Sequence, residues 1–160
     1  MTISFTLNRK PVSLDAPAEK RLVDILREDF SLKANRPGCY AGVCGTCAVF
    51  VDGELAYACM IPVFAVQDRE VLTYEGLKGT ADFDDIVEGF EAAGSSPCAN
   101  CRQSRFLSAY ALLASNPVPG RDEINDFFGG NHCRCTSMHQ IYNAIDHIIT
   151  YRRFGRRGRE

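Results

Sequence analysis

The first part of the chain alternates between apolar and polar residues, the period expected of a half-buried β-strand. Residues 2–7 place Ile3, Phe5 and Leu7 on one face, and the letters NRKP then turn the chain into a second short apolar run. This pattern predicts a β-hairpin. Further strand signals follow in the segments AVFVDG, LAYACM and EVLTY. The first two of these meet at an Asp-Gly pair, which is typical of a tight turn.

One segment between these strands has helical spacing instead. It reads DAPAEKRLVDILREDF, and Pro17 is placed to occupy its first turn. The apolar residues that share one helical face are Leu22, Val23, Ile25, Leu26 and Phe30. We therefore expect residues 1–76 to form a small mixed sheet with one helix packed across it.

From residue 77 onward the period changes from two residues to 3.6. Four segments show helical spacing: DFDDIVEGFEAAG with Asp82 as its expected cap, RFLSAYALLASNP ending at Pro117, GRDEINDFFGG, and TSMHQIYNAIDHIITYRRF. Four helices with no strand between them indicate a bundle. The sequence thus predicts an α+β protein with two domains, 1–76 and 77–160.

Composition and charge narrow the class of protein. The chain has 160 residues, a formal charge of -2, and no apolar run near the roughly 20 residues of a membrane span. Because MTISFTLNRK carries no signal segment, we expect a cytoplasmic protein. We also expect neither a membrane span nor a nucleic-acid partner. The C-terminal RRFGRRGRE is interpreted as a solvated, frayed terminus, with docking on an acidic partner or RNA as the alternative.

The eight cysteines say more about the function of the chain than its overall composition does. The first group of thiols is Cys39, Cys44, Cys47 and Cys59, and the second group is Cys98, Cys101, Cys133 and Cys135. Four is the ligand count of a metal site. A disulfide framework is the alternative, but thiols in the cytosol are kept reduced.

The first group has the C-x4-C-x2-C spacing of a plant-type ferredoxin loop, closed by one distant cysteine expected on a strand. A [2Fe-2S] core with four thiolates carries a net negative charge, which backbone N–H groups can stabilise. Gly38, Gly42 and Gly45 stand where the loop has to turn those groups inward. A structural zinc site is the alternative, but zinc ribbons usually pair two C-x2-C knuckles.

The second group stands at the starts of two predicted helices. Cys98 and Cys101 precede the second helix of the bundle, and Cys133 and Cys135 precede the fourth. Helix N-termini present free N–H groups to an anionic centre, which suits a second [2Fe-2S] cluster. His132 flanks this group and is interpreted as a loop residue, because four thiols already complete the ligand set.

Four segments together resemble the iron-sulfur subunit of the xanthine oxidase family of molybdenum hydroxylases. They are CYAGVCGTCAVFVDGELAYAC, CANC, NPVPGRDEI and GGNHCRCT. The resemblance implies a plant-ferredoxin-like (β-grasp) N-terminal domain with one [2Fe-2S] cluster. It also implies an all-α four-helix-bundle domain with a second cluster.

The resemblance further implies a function and partners. Such a chain passes single electrons from a molybdopterin site in a large catalytic subunit to an FAD-binding medium subunit or another acceptor. The second group of thiols would receive the electrons before the first group. The complex would be a hetero-oligomeric xanthine, aldehyde or heterocycle dehydrogenase, and this chain would supply no catalytic residue.

The chain departs from the family pattern in one loop. Where the family has QCGFCTPG, this sequence reads PCANCRQS, so the Gln that contacts the pterin is replaced by Pro97, which has no donor. Asn100 or Gln103 are candidate substitutes for that donor. Two other hypotheses therefore stay open: a stand-alone two-cluster electron carrier, and a zinc-stapled interaction module.

Overall fold

The structure, a computed structural model, describes residues 1–155. The chain forms two compact units, one covering Met1–Leu77 and another beginning at Lys78. The first unit combines a mixed sheet with short helices and the second is helical, as the α+β prediction requires. No helix within residues 1–155 is long and apolar enough to cross a membrane.

The first unit contains a five-stranded sheet with the order β2-β1-β5-β3-β4. The strands are β1 (Thr2–Leu7), β2 (Lys10–Asp15), β3 (Ala48–Val51), β4 (Glu54–Tyr57) and β5 (Glu70–Leu72). Strand β1 pairs antiparallel with β2 and parallel with β5, and β3 pairs antiparallel with β4. Asp52 and Gly53 both adopt positive φ between β3 and β4, confirming the predicted tight turn.

The helix across this sheet, α1 (Leu22–Glu28), begins later than the sequence indicates. Pro17 lies before it, so the placement of that residue in the first turn is wrong. Arg21 is held in an extended conformation by a bridge to Pro62, and the first amide of α1 donates to the Ile61 carbonyl over 2.8 Å. Pairing with a distant segment therefore sets where the helix starts.

Cys59 lies in a 3₁₀ turn and not on a strand, which corrects the sequence interpretation. Strand β4 ends at Tyr57, the turn covers Ala58–Met60, and the amide of Ala58 donates to the Cys47 carbonyl over 3.0 Å. A second 3₁₀ turn, Val63–Val66, and a one-turn helix, α2 (Tyr74–Leu77), also escaped the sequence analysis. All three are too short to show a hydrophobic period.

The second unit contains the four predicted helices. They are α3 (Ala81–Ala92), α4 (Arg102–Ser115), α5 (Arg121–Gly129) and α6 (Met138–Thr150). Helix α3 has Thr80 at its N-cap, so the assignment of Asp82 as the cap is wrong by two positions. Phe106 packs against Phe83 and Phe90 with ring centroids 6.0 and 4.9 Å apart, and these rings fill the centre of the unit.

Helix α6 continues into a single π-helical turn, Tyr151–Gly155. The Arg152 Nε donates to the Asp85 carboxylate on α3 over 3.2 Å, so the expected frayed terminus does not include this residue. The rest of the basic segment, residues 156–160, lies outside the described residues.

Candidate metal centres

The sheet brings two thiols of the first group together. Cys47 precedes β3 and Cys59 follows β4, so the antiparallel pair places both at the same end of the sheet. Both are buried. Burial raises the pKa of Cys47 to about 12, although the amide of Cys59 donates to its sulfur and opposes that rise. The Cys47 position therefore holds a protonated thiol until a metal displaces the proton.

The other two thiols of the first group lie in the loop before β3. Cys39 is exposed, and its sulfur accepts N–H donations from Ala41, Val43 and Cys44 at 3.3, 3.3 and 3.4 Å. These amides, led by that of Cys44, lower the pKa of Cys39 to about 6. The left-handed conformation of Gly42, with φ +68°, helps turn the loop inward as the sequence predicts.

The Cys44 sulfur and the Thr46 hydroxyl lie close to Gly38 and leave little space for a side chain at that position. A Cβ atom on Gly38 would lie 3.1 Å from the Cys44 sulfur and 3.3 Å from the Thr46 hydroxyl. That hydroxyl lies 3.1 Å from the same sulfur and 2.6 Å from the Arg36 carbonyl, to which it donates. The loop is therefore shaped closely around its sulfur atoms.

The second group of thiols lies where α4 begins and where α5 connects to α6. Cys101 is the N-cap of α4, and its amide donates to the Cys98 carbonyl over 3.1 Å. The amides of Cys101 and Asn100 also donate to the Cys98 sulfur, which lowers the pKa of that thiol. The start of a helix thus directs backbone donors onto a sulfur atom.

Contacts between side chains join the four thiols of the second group. The Cys98 thiol contacts those of Cys135 and Cys101, and Cys101 contacts Cys133. Burial raises the pKa of Cys101 to about 12. Burial also acts to raise the pKa of Cys133, but donation from the Thr136 hydroxyl and the Cys135 amide lowers it overall to about 7.

Helix α6 contributes less to this site than the sequence suggests. Its N-cap is Ser137, and the amide of Gln140 donates to the Ser137 hydroxyl instead of to a sulfur. The amides that do reach the Cys133 thiol, those of Cys135 and Thr136, lie in the loop before the helix.

The chemistry of these donor sets fits a binuclear cluster. A [2Fe-2S] cluster needs four thiolates shared between two irons. In the first group, side-chain contacts pair Cys39 with Cys44 and Cys47 with Cys59.

The substituted loop before α4 has few free donors. Pro97 is buried, and its carbonyl accepts from the Arg102 side chain over 3.4 Å. The side-chain oxygen of Gln103 is buried without a partner, whereas Asn100 is exposed at the tip of the loop. His132 is exposed beside the second group, consistent with its interpretation as a loop residue.

An apolar surface surrounds the exposed sulfur of the first group. We call it the Cys39 rim, and it consists of the exposed side chains of Tyr40, Val43 and Met60. Met60 lies against this loop, since a Cβ on Gly42 would be 2.9 Å from its Cγ. Exposed apolar groups collected at one place on a protein surface are typical of a site that a partner covers.

Comparison with known proteins assigns each half of the chain. Residues 5–72 match the family described as 2Fe-2S iron-sulfur cluster binding domain, and residues 73–146 match the [2Fe-2S] binding domain family.

Relatives match over nearly the whole chain. It is 34% identical over 149 residues to the nicotinate dehydrogenase small FeS subunit of Eubacterium barkeri, covering 93% of this chain and 95% of that one. It is 33% identical over 144 residues to the isoquinoline 1-oxidoreductase subunit alpha of Brevundimonas diminuta, covering 89% and 94%. The crystal structure of quinoline 2-oxidoreductase from Pseudomonas putida 86 contains a similar chain, with a TM-score of 0.86, 32% identity and 97% coverage of both.

Proposed function

The chain belongs to the iron-sulfur subunits of the xanthine oxidase family of molybdenum hydroxylases, and on that premise we propose how its two sites serve an oxidoreductase complex. It carries two 2Fe-2S binding domains and transfers electrons within such a complex. Our proposal concerns the ligands of each cluster, the order in which the clusters receive electrons, and the partner subunits.

We assign both groups of thiols as cluster ligands. The ligands of one [2Fe-2S] cluster are Cys39, Cys44, Cys47 and Cys59, and those of the other are Cys98, Cys101, Cys133 and Cys135. The observation that carries this assignment is that each group combines side-chain contacts between thiols with backbone donors aimed at a sulfur. The corresponding functional domains are residues 1–76 and 77–160.

A bound [2Fe-2S] cluster supplies one-electron chemistry. The chain's own residues determine how that chemistry is used. The amides around Cys39 stabilise negative charge on its sulfur, and the burial of Cys47 and Cys101 keeps water from one side of each site. No residue of this chain is assigned a role in making or breaking substrate bonds.

The exposed thiol of the first group is the proposed exit for electrons. Cys39 reaches the surface, and the Cys39 rim offers an apolar face to an FAD-binding subunit or another acceptor. Electrons then enter at the second group, from a large molybdopterin-binding subunit. The chain therefore acts in a hetero-oligomer, and we place that complex in the cytoplasm.

Substitution of one ligand at a time tests this assignment. EPR spectra of the dithionite-reduced complex should contain two [2Fe-2S] signals, and Cys59→Ser should change only one of them while Cys101→Ser changes only the other. Both variants altering the same signal would refute the division into two sites. About four irons and about four sulfides per chain are expected, whereas zinc without acid-labile sulfide would refute the redox function altogether.

A stand-alone electron carrier is the second candidate, and Pro97 favours it. The substituted loop offers the pterin of a large subunit neither a side-chain donor nor a backbone N–H at this position. Affinity purification from the native host separates the two functions. Recovery of a stoichiometric molybdenum-containing subunit supports the complex, and a chain that purifies alone and is reduced by a soluble reductase supports the carrier.

A further inference from the structure

A buried arginine lies beside the second group of thiols, and within residues 1–155 no carboxylate forms an ion pair with it. The Arg105 side chain on α4 belongs to a residue that is only 3% exposed. None of the ion pairs between described residues includes it, and its Nε and Nη1 atoms are buried without an acceptor. Buried charges are normally paired, so this guanidinium needs an explanation.

The position of Arg105 on its helix directs it toward the thiols. Its amide donates to the Cys101 carbonyl over 2.9 Å, so the two residues lie one turn apart on the same face of α4. Long side chains in a helix point back toward the N-terminus, which here carries Cys101 and Cys98. The guanidinium therefore extends toward the ligand-bearing end of the helix.

The same guanidinium is linked to the other ligand-bearing segment. Its Nη2 donates to the Asn131 carbonyl over 3.3 Å, and the Cys133 amide donates to that same oxygen over 3.0 Å. One carbonyl oxygen thus separates the charged group from the backbone of a thiol in the second group.

Three neighbours hold this arrangement in place. The Asn131 side chain donates to the Ser104 hydroxyl, which in turn donates to the Cys101 carbonyl over 3.0 Å. The guanidinium carbon of Arg105 lies 5.5 Å from the centre of the Phe128 ring. Two hydrogen bonds therefore join the segment with Cys101 to the segment with Cys133. One runs from the Asn131 side chain to the Ser104 hydroxyl, and the other from the Arg105 guanidinium to the Asn131 carbonyl.

We propose that Arg105 is the internal counter-charge of the second cluster and positions the Cys133 segment against α4. The inference rests on the proposed function, because it needs the second group to bind a [2Fe-2S] cluster. Four thiolates around that core leave a net negative charge that increases on reduction. A fixed positive charge in a poorly solvated site favours the reduced state and so raises the reduction potential.

Two substitutions in the complete complex separate charge from hydrogen bonding. Arg105→Gln removes the charge but keeps an amide that can donate to the Asn131 carbonyl, whereas Arg105→Lys keeps the charge and loses the planar fork. The midpoint potentials of both clusters are measured by redox titration followed by EPR. The first cluster serves as the internal reference in every sample.

With Arg105→Gln we expect the equilibrium constant for reducing the second cluster to fall about tenfold or more, a shift of about 59 mV to lower potential. Arg105→Lys should change it by less than about threefold, and neither variant should move the first cluster. A Gln variant that leaves the second potential unchanged overturns the proposal, as does an equal shift in both variants. Loss of the second cluster in both variants would also overturn the proposal, because Arg105 would then have a purely structural role. Absence of a second [2Fe-2S] signal in the unsubstituted complex would instead refute the proposed function.

Discussion

The Thr46 hydroxyl lies between the backbone and a thiol of the first group. The residue is 8% exposed, and its hydroxyl donates to the Arg36 carbonyl over 2.6 Å while lying 3.1 Å from the Cys44 sulfur. Thr46→Val removes the hydroxyl and keeps nearly the same shape. Removing one partner of a buried hydrogen bond costs about 1–3 kcal/mol. The loop should therefore open about 5 to 150 times more often.

Loss of the first cluster to a chelator measures this opening. If the loop recloses faster than the chelator acts, the rate of loss follows the equilibrium population of the open form. EPR of the reduced complex at successive times should show the first cluster disappearing about 5 to 150 times faster in Thr46→Val than in the wild type. The second cluster, which belongs to the other unit, should decay at the wild-type rate in the same samples.

Thr46→Ser is the matched control, because it keeps the hydroxyl and loses only a methyl group. We expect its rate to stay close to that of the wild type. The reasoning would be refuted if the Val variant kept its cluster as long as the wild type, since the hydroxyl would then contribute nothing to the loop. A Ser variant as labile as the Val variant would instead assign the effect to packing of the methyl group.

Two further predictions concern the stability of the helical unit. In Gly89→Ala the added methyl would clash with the Ile148 side chain and lie 3.2 Å from the Ala144 carbonyl oxygen, where α3 meets α6. Overpacking of about 1–3 kcal/mol should outweigh a gain in helix propensity of about 1 kcal/mol. Gly129→Ala, with open space around it on α5, should be neutral or stabilising by a few tenths of a kcal/mol. In urea unfolding followed by far-UV circular dichroism, the midpoint should fall for Gly89→Ala and stay unchanged or rise for Gly129→Ala. Arg152→Met removes the guanidinium that pairs with the buried Asp85 carboxylate and should lower the free energy of unfolding by about 1–3 kcal/mol in the same assay. An unchanged midpoint would mean that the ion pair adds nothing.

The hydrophobic period was enough to predict the main elements of both units. Ile3, Phe5 and Leu7 are buried on one face of β1, as their alternation requires, and each of the four long helical patterns corresponds to a helix. The spacing of the apolar residues indicates which face of an element is buried, and this burial stabilises the element. The sequence could therefore predict the sheet, the helical unit and the presence of two thiol groups.

Features set by distant partners could not be predicted in this way. The extended conformation of Arg21 depends on its bridge to Pro62, and no local pattern around Pro17 reveals that pairing. The turn that carries Cys59 likewise follows from the end of the β3-β4 ladder, while the residue types around it favour a strand.

Arg105 was missed for a different reason. A charged residue is usually solvent-exposed, so its residue type alone places Arg105 on the solvated face of the helix and outside the site. One signal was available, because Arg105 follows Cys101 by four residues and so must share its helix face. Spacing relative to a candidate ligand is therefore more informative here than residue type.

Each site contains a buried thiol with a raised pKa, but the surroundings of that thiol differ between the two sites. Burial raises the pKa of both Cys47 and Cys101 to about 12. Near Cys101 the chain also buries the charge of Arg105. Cys47 instead belongs to an apolar core cluster. The backbone N–H donors of the first site converge on the exposed Cys39. Hydrogen bonds and local charge tune cluster potentials, so clusters with identical ligand types need not have equal potentials. That difference sets whether the electron-transfer step between the two clusters is downhill or uphill.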